Sequence, residues 1–407
     1  MEGPLADVRV VDFTHILAGP YATQILGDLG ARIVKVESPR GDETRSYGSV
    51  DADGHVSAER PDPSPAFASF NRNKESIVID LKHADGRFVA AKLAVSADVV
   101  VHNFRPGVME QLGLGYDDLR AAHPTLVYCE ISGFGSTGPL AQKGGNDLIS
   151  QAYSGLLSFT GEHGGGLVRC PISISDVGAA LYATIGIVSA LLLRERTGVG
   201  QKVDTSLLEG LIGLMGLHFV QYLMTGFIPV PMGTQNKFGQ PNQVFKVADG
   251  WIAVSAINDR MWNAFCSCLD RQQLSEDPRF HDLPSRFENR DELITEVEGA
   301  LRTRTVAECV GRMDAAGVLC APVNRLDEVV NDPQMQLLGC FTETEMQGQR
   351  VPTIANPVHL SASPATIRKG PPALGEDGMN VLTELGFSVD ELRGLHDRGA
   401  ISLGGLA

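Results

Sequence analysis

The stretch that decides the fold is Val8–Glu37, which reads VRVVDFTHILAGPYATQILGDLGARIVKVE. Its opening residues, Val8–Phe13, form a short β-branched run that favours a strand. The segment Tyr21–Leu29 is helix-like and stops at Gly30, a residue that commonly ends helices. Arg32–Glu37 is a second β-branched run. Strand, helix and strand in immediate succession predict a βαβ unit, and therefore a parallel pair of strands.

The same alternation continues along the chain. The further strand-like runs are Ser76–Leu81, Asp98–His102 and Leu126–Ile131, with helix-like segments near 85–95 and 116–122. This pattern predicts an α/β fold with a parallel sheet between two layers of helices. Ligands of such sheets bind beyond the carboxyl ends of the strands, so the loops after Phe13, Glu37, His102 and Ile131 are the ones to examine. The first of them lacks the G-x-G-x-x-G sequence, which argues against a dinucleotide site.

The length of 407 residues predicts more than one domain. The pattern changes at residue 227, where turn-forming residues become frequent and a charged, mainly helical segment follows. We expect residues 1–226 to form the first part of a large domain and 227–320 to form a small α+β domain. Residues 321–407 are expected to return to the large domain. The Asp-, Gly-, Pro- and Ser-rich segment 48–69 is predicted to be an exposed loop.

The composition restricts the partners and the compartment. A net charge of −15 argues against nucleic-acid binding, which needs a basic face, and requires a local basic patch for any anionic ligand. The opening residues MEGPLADVRV lack the basic and apolar regions of a secretory signal. Seven scattered cysteines indicate a reducing compartment rather than a disulfide framework. We therefore expect a cytoplasmic protein.

Two apolar stretches resemble membrane spans, Val177–Leu193 and Leu207–Gly226. The first is at the lower limit of spanning length, and the second contains polar residues. We expect both to be helices buried on all sides in a soluble core. The pair Cys266 and Cys268 stands without a second ligand pair at zinc spacing, so we expect core residues there and no metal site.

Asp176 lies directly before a long apolar helix, at the end of Pro171–Asp176. Aspartate is a preferred helix N-cap, and this is the commoner reason for an aspartate at such a position. The same geometry suits a nucleophile, because a helix N-terminus favours a negative charge and keeps the carboxylate ionised. From local sequence alone both interpretations stay open.

Basic residues occupy the loops that follow successive strands. They are Arg40 and Arg45 after the second strand, Arg72 and Lys74 before the next, and Arg105 after Asn103 and Phe104. Each alone has the usual explanation of a solvated surface charge. Together, in an acidic chain, they suit a polyphosphate ligand.

His15 follows the first strand, where a structural loop histidine is the commoner reading and a catalytic base the alternative. The chain contains no G-x-S-x-G elbow, no H-E-x-x-H and no phosphate loop with G-K-[ST]. Serine hydrolase, zinc hydrolase and ATPase functions therefore lose support.

These residues together form a recognisable pattern. The sequence resembles the class III CoA-transferase (CaiB/BaiF) family, which includes formyl-CoA, carnitine-CoA and succinyl-CoA transferases and the α-methylacyl-CoA racemases. The resemblance runs from about residue 5 to residue 387 and is carried by VVDFTHILAGPYATQILGDLGARIVKVE, FNRNKESIVIDLK, DVVVHNFRPGVMEQLGLGYDDL, ISGFGSTGP, ISDVGAALYATIGIVSALLLRERTGVGQKVD, GVLCAPVNRLDEVVNDPQ and LGEDGMNVLTELGFS.

The resemblance implies a Rossmann-like large domain built from both chain ends, a smaller domain and an interlocked homodimer. It places the nucleophile on Asp176 and the backbone near the thioester at Gly133 and Phe134. Coenzyme A is implied as a substrate rather than as a tightly bound cofactor. The CoA-contacting positions that it implies are His15, Ile16, Leu17, Ala18, Arg40, Arg72, Asn73, Lys74, Asn103 and Phe104, to which the basic loops add Arg105.

Two departures from the family pattern bear on the reaction. Racemases carry a histidine where this chain has Asn146, and asparagine cannot accept an α-proton. Oxalate-specific transferases have a run of glycines in a lid, whereas Lys237–Asn242 here contains a single glycine. The acyl group is therefore not expected to be oxalate, and Gln240 and Asn242 are candidate contacts for a substrate carboxylate.

The expected reaction is transfer of CoA from an acyl-CoA, with succinyl-CoA as the expected donor, to a free carboxylic acid through an aspartyl-CoA thioester. Two alternatives stay open. One is an acyl-CoA racemase or epimerase, and the other is one subunit of a heteromeric CoA-transferase.

Overall fold

A computed structural model describes residues 3–48, 50, 53–55, 64–236 and 239–404. The predicted loop 48–69 and the lid stretch at 237–242 lie partly outside these residues. Most strands coincide with β-branched runs of the sequence, as their propensity requires. Their bounds are β1 Arg9–Phe13, β2 Arg32–Glu37, β3 Lys74–Ile79, β4 Val99–His102, β5 Val127–Ser132, β6 Lys202–Ser206, β7 Asn242–Lys246, β8 Trp251–Ser255, β9 Leu319–Pro322, β10 Phe341–Met346, β11 Gln349–Ile354 and β12 Ile401–Ser402.

Seven strands of the described chain form one sheet in the order β12-β3-β2-β1-β4-β5-β6. All neighbours pair in parallel except β12, which runs antiparallel to β3. The strand order reverses between β1 and β4, because the chain builds outward from β1 in one direction and from β4 in the other. The predicted large parallel sheet is confirmed, and its switch point lies where the loops after Phe13 and His102 begin.

Helices cover both faces of this sheet, as the alternating pattern predicts. The bounds of the helices are α1 Ala18–Asp28, α2 Pro65–Phe70, α3 Ala84–Val95, α4 Val108–Gln111, α5 Tyr116–Ala122, α6 Asp147–Tyr153, α7 Ile174–Thr197, α8 Leu207–Leu214, α9 Gly216–Thr225, α10 Asp259–Cys268, α11 Leu283–Glu288, α12 Arg290–Leu301, α13 Val306–Ala315, α14 Leu326–Val330, α15 Pro333–Leu337, α16 Gly378–Glu384 and α17 Val389–Asp397.

Two hydrophobic cores lie on opposite faces of the sheet. One contains residues of α3, α5, α16 and α17, together with β12. The other is formed largely by α1 and α7, whose inner faces are rich in alanine. Ala179, Ala180 and Ala183 are fully buried, and such small side chains let α7 lie close against the strands.

The chain divides into two compact units. The first comprises residues 1–156, 170–227 and 334–407, and the second comprises 157–169 and 228–333. The C-terminal segment thus contributes to the core of the sheet-containing unit. The second unit ends later than the expected boundary at residue 320, since α14 belongs to it. It also takes in the short segment 157–169, where the carbonyl of Gly161 accepts from the backbone N–H of Gly233 at 2.8 Å.

The second unit contains the antiparallel sheet β7-β8-β9, with α10, α12 and α13 forming its core. Cys266 and Cys268 lie buried in α10 and belong to this core. The expectation that they are core residues is therefore confirmed. All seven cysteines of the chain are free thiols in the described structure.

The two apolar stretches form α7 and the bent pair α8–α9, but the expectation that they are buried on all sides is wrong. The sheet covers only one side of α7, and Leu181, Ile185 and Leu192 on its other side are 43%, 60% and 54% exposed. Leu223 on α9 is 77% exposed. Within the described residues α7 is long and apolar enough to cross a membrane, and α8–α9 would be a second such span if the bent pair counted as one. A core helix packed on a sheet passes the same test, so this length decides nothing by itself.

Candidate active site

The first βα turn contains a strained residue at the switch point of the sheet. Ile16 has φ of +70°, a conformation that is rare for a β-branched side chain and that persists only where the surroundings impose it. Asn103, in the loop after β4, accepts from the backbone N–H of His15 at 2.9 Å and donates to its carbonyl at 2.8 Å. Burial lowers the pKa of His15 below its usual value, and its ring lies 5.5 Å from that of Phe104. The structure therefore brings His15, Asn103 and Phe104 together as predicted.

Asp42 secures this turn from the loop after β2. Its carboxylate accepts from the N–H of Ile16 at 3.3 Å and from the buried ammonium of Lys35 at 2.9 Å. It also accepts from the N–H and hydroxyl of Thr44. Lys35 in turn donates to the carbonyl of Thr14 at 2.8 Å, so one buried ion pair fixes both sides of the turn.

A second buried ion pair lies next to the first. Lys74 Nζ is 3.1 Å from Asp12, and both side chains are fully buried. Burial lowers the pKa of Lys74 to about 8. Burial also opposes ionisation of Asp12, but Lys74, Lys35 and two threonine hydroxyls together outweigh it and hold the pKa of Asp12 at about 2. Buried charges of opposite sign, each with hydrogen-bond partners, form the floor beneath the turn.

This network predicts a loss of stability in acid. Burial alone would raise the pKa values of Asp12, Glu37 and Asp42, but neighbouring cations and hydroxyls hold all three below their usual values. A depressed folded-state pKa gives stability that is present above the unfolded pKa and is lost as pH falls through the folded pKa. The thermal midpoint should therefore fall as pH drops from about 5 to about 2, and Asp12→Asn should flatten that fall. A midpoint that stays constant down to about pH 3 would contradict the account.

Arg72, Asn73 and Lys74 are placed inside the protein rather than on the loop surface. Arg72 is 4% exposed and forms a two-pronged ion pair with Asp28 at 2.6 and 2.9 Å. Asn73, with φ of +60°, donates to Asp28 and accepts from the backbone of 368 and 369. Lys74 forms an ion pair with Asp12. Direct phosphate contact would require breaking these bonds, so the geometry favours a supporting role for the three residues.

The remaining predicted cations differ in exposure. Arg45 pairs with Glu37 at 2.7 Å and lies 3.6 Å from the centre of the Phe67 ring. Arg40 and Arg105 are exposed, at the loops after β2 and β4. Because the carboxyl ends of parallel strands share one edge, these two side chains lie at the same edge of the sheet as His15.

The loop after β5 closes against a second glycine-rich segment. A side chain on Gly133 would lie 3.2 Å from the Cα of Gly145, and one on Gly145 would lie 3.1 Å from the Phe134 ring. Both glycines therefore leave room for this close backbone approach. Phe134 is 8% exposed and meets Tyr153 edge-on, while Lys143 Nζ lies 5.5 Å from its ring centre. The predicted residues Gly133 and Phe134 thus form a rigid loop at the carboxyl end of β5.

Asp176 is the third residue of α7, half-buried in its first turn. The N-cap position belongs to Ser173, so the interpretation of Asp176 as the N-cap is wrong. The helix begins at Ile174, three residues earlier than its apolar pattern suggested. The helix dipole still favours a negative charge on Asp176, because its effect extends through the first turn. Helix α7 returns the chain to the start of β6, so its own start lies at the carboxyl edge of the sheet, with the loops described above.

Asn146 has a structural partner. Its side-chain oxygen accepts from the N–H of Ile149 at 3.1 Å and caps α6. An amide fixed in this way supplies no proton acceptor for an α-carbon.

Gln240 and Asn242 belong to the second unit. Gln240 is fully buried, its amide nitrogen donates to the carbonyl of Asn236 at 2.9 Å, and its backbone carbonyl accepts from Arg286. Asn242 begins β7 and lines an open cavity of about 590 Å³ on that unit. A carboxylate contact by these two residues stays a prediction, and Asn242 is the more accessible of them.

Two buried carboxylates that position this site were missed from the sequence. Asp42 stands in the same loop as Arg40 and Arg45, two of the cations on which the polyphosphate prediction rests. Asp147 directly follows Asn146 and is 4% exposed. An aspartate beside glycines in a loop after a strand was the available signal in both cases, but only the folded chain shows which groups it holds.

Comparisons with known proteins place the chain in a family. The sequence profile described as CoA-transferase family III matches residues 5–378. The chain is 33% identical to a succinate–glutarate CoA-transferase of Agrobacterium fabrum, across 94% of this chain and 96% of that protein. It is 36% identical to an acetyl-CoA:oxalate CoA-transferase of Acetobacter aceti, across 93% and 94%.

A solved structure gives the same result for the fold. The crystal structure of a CaiB/BaiF family protein from Brucella suis matches with a TM-score of 0.84 and 34% identity, over 95% of this chain and 100% of that one. The resemblance noted in the sequence is thereby confirmed over nearly the whole length. The chain belongs to CoA-transferase family III, and it is an enzyme that transfers CoA between an acyl-CoA and a carboxylic acid.

Proposed function

We propose that the enzyme moves CoA from succinyl-CoA to a second carboxylic acid, with Asp176 as the covalent nucleophile. The observation that carries this proposal is the position of Asp176 in the first turn of α7, at the sheet edge where the predicted CoA loops end. The helix dipole favours its ionised form there. His15, Asn103 and the exposed Arg40 and Arg105 supply the proposed contacts to CoA at the same edge.

The transfer proceeds in four displacements. An Asp176 oxygen attacks the thioester carbonyl, the C–S bond breaks, and a mixed anhydride forms as CoA thiolate leaves. The thiolate then attacks the Asp176 carboxyl carbon, which releases the donor acid and leaves an aspartyl-CoA thioester. The acceptor carboxylate displaces the thiolate from that carbon, and the thiolate finally attacks the acceptor acyl carbon. Asp176 is regenerated, and each step exchanges bonds of similar energy.

The loop at Gly133 and Phe134 has a proposed electrostatic role in these steps. Each displacement passes through a tetrahedral intermediate with a negative oxygen, and fixed backbone N–H groups stabilise such an oxygen. The Gly133–Gly145 approach holds this backbone in one conformation. This stabilisation does not require the site to close over the substrate, because the proposed backbone donors are in position before the substrate binds.

The acceptor is proposed to be a dicarboxylic acid. The relative from Agrobacterium fabrum is named for succinate and glutarate, and that from Acetobacter aceti for oxalate. The single glycine of the lid stretch favours glutarate-like acids over oxalate. The test is to incubate the enzyme with succinyl-CoA and a panel of mono- and dicarboxylic acids and to identify new CoA esters by mass spectrometry. Transfer to no acid in the panel would overturn the proposal.

The racemase alternative is disfavoured by Asn146, whose side chain caps α6. Deuterium incorporation at the α-carbon of a branched acyl-CoA, without CoA exchange, would establish it instead. A heteromeric enzyme would be inactive alone and active after a homologous subunit is added. The presence of Asp176 in this chain favours a subunit that is catalytic by itself.

We further propose a cytoplasmic homodimer, and the exposed apolar side of α7 and α9 supports a second copy as the group that covers it. Exposed apolar surfaces of this extent mark interfaces in soluble proteins, and free cysteines suit a reducing compartment. The rings of the dimer are proposed to interlock, as the family resemblance implies.

The apolar side of α7 provides a direct test of the dimer. Ile185→Glu should weaken the dimer by about 100-fold or more in dissociation constant, because a charge would be buried against an apolar partner. Phe88→Glu is the matched control, since Phe88 is 64% exposed on α3. Because interlocked chains separate only when they unfold, light scattering across a dilution series measures both variants after refolding from denaturant. An Ile185→Glu protein with the wild-type mass at every concentration would contradict this interface.

A further inference from the structure

The first turn of α7 is held by a carboxylate from another helix. Ser173, at the N-cap, makes no side-chain hydrogen bond to the helix. Instead, Asp147 accepts from the backbone N–H of Ser175 at 3.1 Å and from its hydroxyl at 3.0 Å. A helix start leaves N–H groups without intrahelical partners and favours negative charge. Asp147 therefore completes the helix turn that carries Asp176.

Gln151 lies one turn further along α6 and extends this arrangement. Its amide nitrogen donates to the other Asp147 oxygen at 2.8 Å and to the carbonyl of Cys170 at 3.2 Å. Its amide oxygen accepts from the N–H of Cys170 at 3.1 Å. Asp147 and Gln151, here called the α6 clamp, thus hold both ends of the segment 170–175 that leads into Asp176.

The hydrogen bonds of the α6 clamp have a fixed direction. Both Asp147 oxygens act as acceptors, so the nitrogen of Gln151 must face them. The oxygen of Gln151 is then left to accept from Cys170. Asp147 is 4% exposed, while Gln151 and Ser175 are fully buried. Buried polar groups that satisfy one another in a single orientation define a unique local geometry.

We propose that Asp147 and Gln151 are positioning residues that aim Asp176 at the thioester, an inference that rests on the proposed role of Asp176 as nucleophile. Their hydrogen bonds to Ser175 and Cys170 are made to groups other than the reacting atoms. They act through the backbone of the segment 170–175, which leads into Asp176. A misplacement of about 1 Å at a reacting group costs on the order of 100-fold in rate, which is why such a framework matters.

The chemistry of this reaction makes the requirement stricter than for a simple base. The Asp176 carboxyl carbon is attacked in turn by the CoA thiolate and by the acceptor carboxylate while it carries a covalent group. The backbone that carries Asp176 must therefore stay in place in the free, anhydride and thioester states of the enzyme. A clamp built from buried side chains of a separate helix meets this need without contributing to substrate binding.

The test is Asp147→Asn, assayed with succinyl-CoA and glutarate. The introduced amide would place an NH₂ group against the donor of Gln151 or of Ser175, which breaks the clamp at one end. We expect kcat to fall by about 100-fold and the KM for succinyl-CoA to change by less than about twofold. Gln151→Leu frees the Cys170 end and removes one donor to Asp147, but it keeps the Asp147–Ser175 bonds and should lower kcat by about tenfold in the same way. This milder variant keeps the test open if the first does not fold.

A rescue distinguishes positioning from general damage. In the double variant Asp147→Asn with Gln151→Glu, the introduced carboxylate accepts from the introduced amide and from the N–H of Cys170. We expect it to recover at least about tenfold of the kcat lost by Asp147→Asn alone. Asp282→Asn is the matched control, because Asp282 caps α11 by accepting from Ser285 in the second unit. It should leave kcat unchanged.

The outcomes separate this inference from the proposed function. If Asp176→Ala transfers CoA at the wild-type rate, the nucleophile assignment fails. If Asp176→Ala is inactive but Asp147→Asn and Gln151→Leu keep the wild-type kcat, the α6 clamp inference fails. It also fails if the losses appear in KM alone, or if the double variant is no faster than Asp147→Asn.

Discussion

Replacing Asp176 by alanine should abolish CoA transfer while leaving the fold intact. The side chain is the proposed attacking group in the first displacement and the carrier of CoA in the second, so no other group can take over the step. Removal of the nucleophile from a covalent mechanism typically costs on the order of 10⁴-fold or more in kcat. Stability should fall by no more than about 1 kcal/mol, the scale of one charge at a helix N-terminus. Steady-state transfer rates and thermal midpoints measure the two effects separately.

The matched control for this variant is Asp390→Ala. Asp390 also lies in the first turn of a helix, α17, and its side chain is 95% exposed. It loses the same dipole interaction without touching the proposed site, and it should retain full activity. Normal transfer by Asp176→Ala would refute the nucleophile assignment, and loss of activity in both variants would attribute the effect to helix stability instead.

Replacing Lys35 by methionine should cause the largest loss of stability among single changes at the site. Lys35 and Asp42 are buried ion-pair partners with side chains 0% and 1% exposed. Removing one partner leaves the other charge buried and unpaired, at a cost of roughly 3–5 kcal/mol. Because Asp42 also holds the N–H of Ile16, the strained turn at Ile16 should loosen, and since this turn carries the proposed CoA contacts, the KM for the acyl-CoA should rise. Denaturant midpoints and substrate titrations measure the two consequences.

The double variant Lys35→Met with Asp42→Asn tests the physical cause. The introduced amide can still accept from Ile16 and Thr44, but it leaves no unpaired charge. It should therefore be more stable than Lys35→Met alone, although two residues are changed. Arg350→Met is the control, because the Arg350–Glu343 pair is exposed and such pairs contribute little. A double variant as unstable as the sum of the two single variants would contradict the explanation.

The sequence was sufficient for the architecture wherever local pattern and packing agree. The run from Val8 to Glu37 predicts β1, α1 and β2. The predicted and observed bounds of the two strands agree to within one residue. The change of pattern at residue 227 coincides with the start of the second unit's main segment. Both signals are periodicity and punctuation, which depend on nearby residues only.

The sequence was not sufficient where a partner lies far away along the chain. Arg72 and Lys74 look like loop cations, but Asp28 and Asp12 neutralise them inside the protein. Asp147 looks like a neighbour of Asn146, but it caps a helix that starts much later in the chain. The sequence shows that a side chain is charged but not which group it binds, because that partner depends on how the chain folds.

The apolar helices illustrate a different limit. Hydropathy predicts that α7 avoids water, and it does so only on the side that faces the sheet. Ile185 on its other side is 60% exposed in the single chain, and the proposed dimer would cover it. Composition indicates that an apolar segment favours burial, but it does not show which surface covers the segment.

The most direct test of the central claim is to identify the covalent intermediate on Asp176. Enzyme mixed with succinyl-CoA in the absence of acceptor should accumulate CoA attached to the protein. Borohydride reduction of that thioester, followed by digestion and mass spectrometry, should convert the side chain of Asp176 to the corresponding alcohol. This modification is expected at Asp176 in the wild-type enzyme and at no residue of the Asp176→Ala variant. Full transfer activity with no trapped label at Asp176, or a label on another residue, would contradict it.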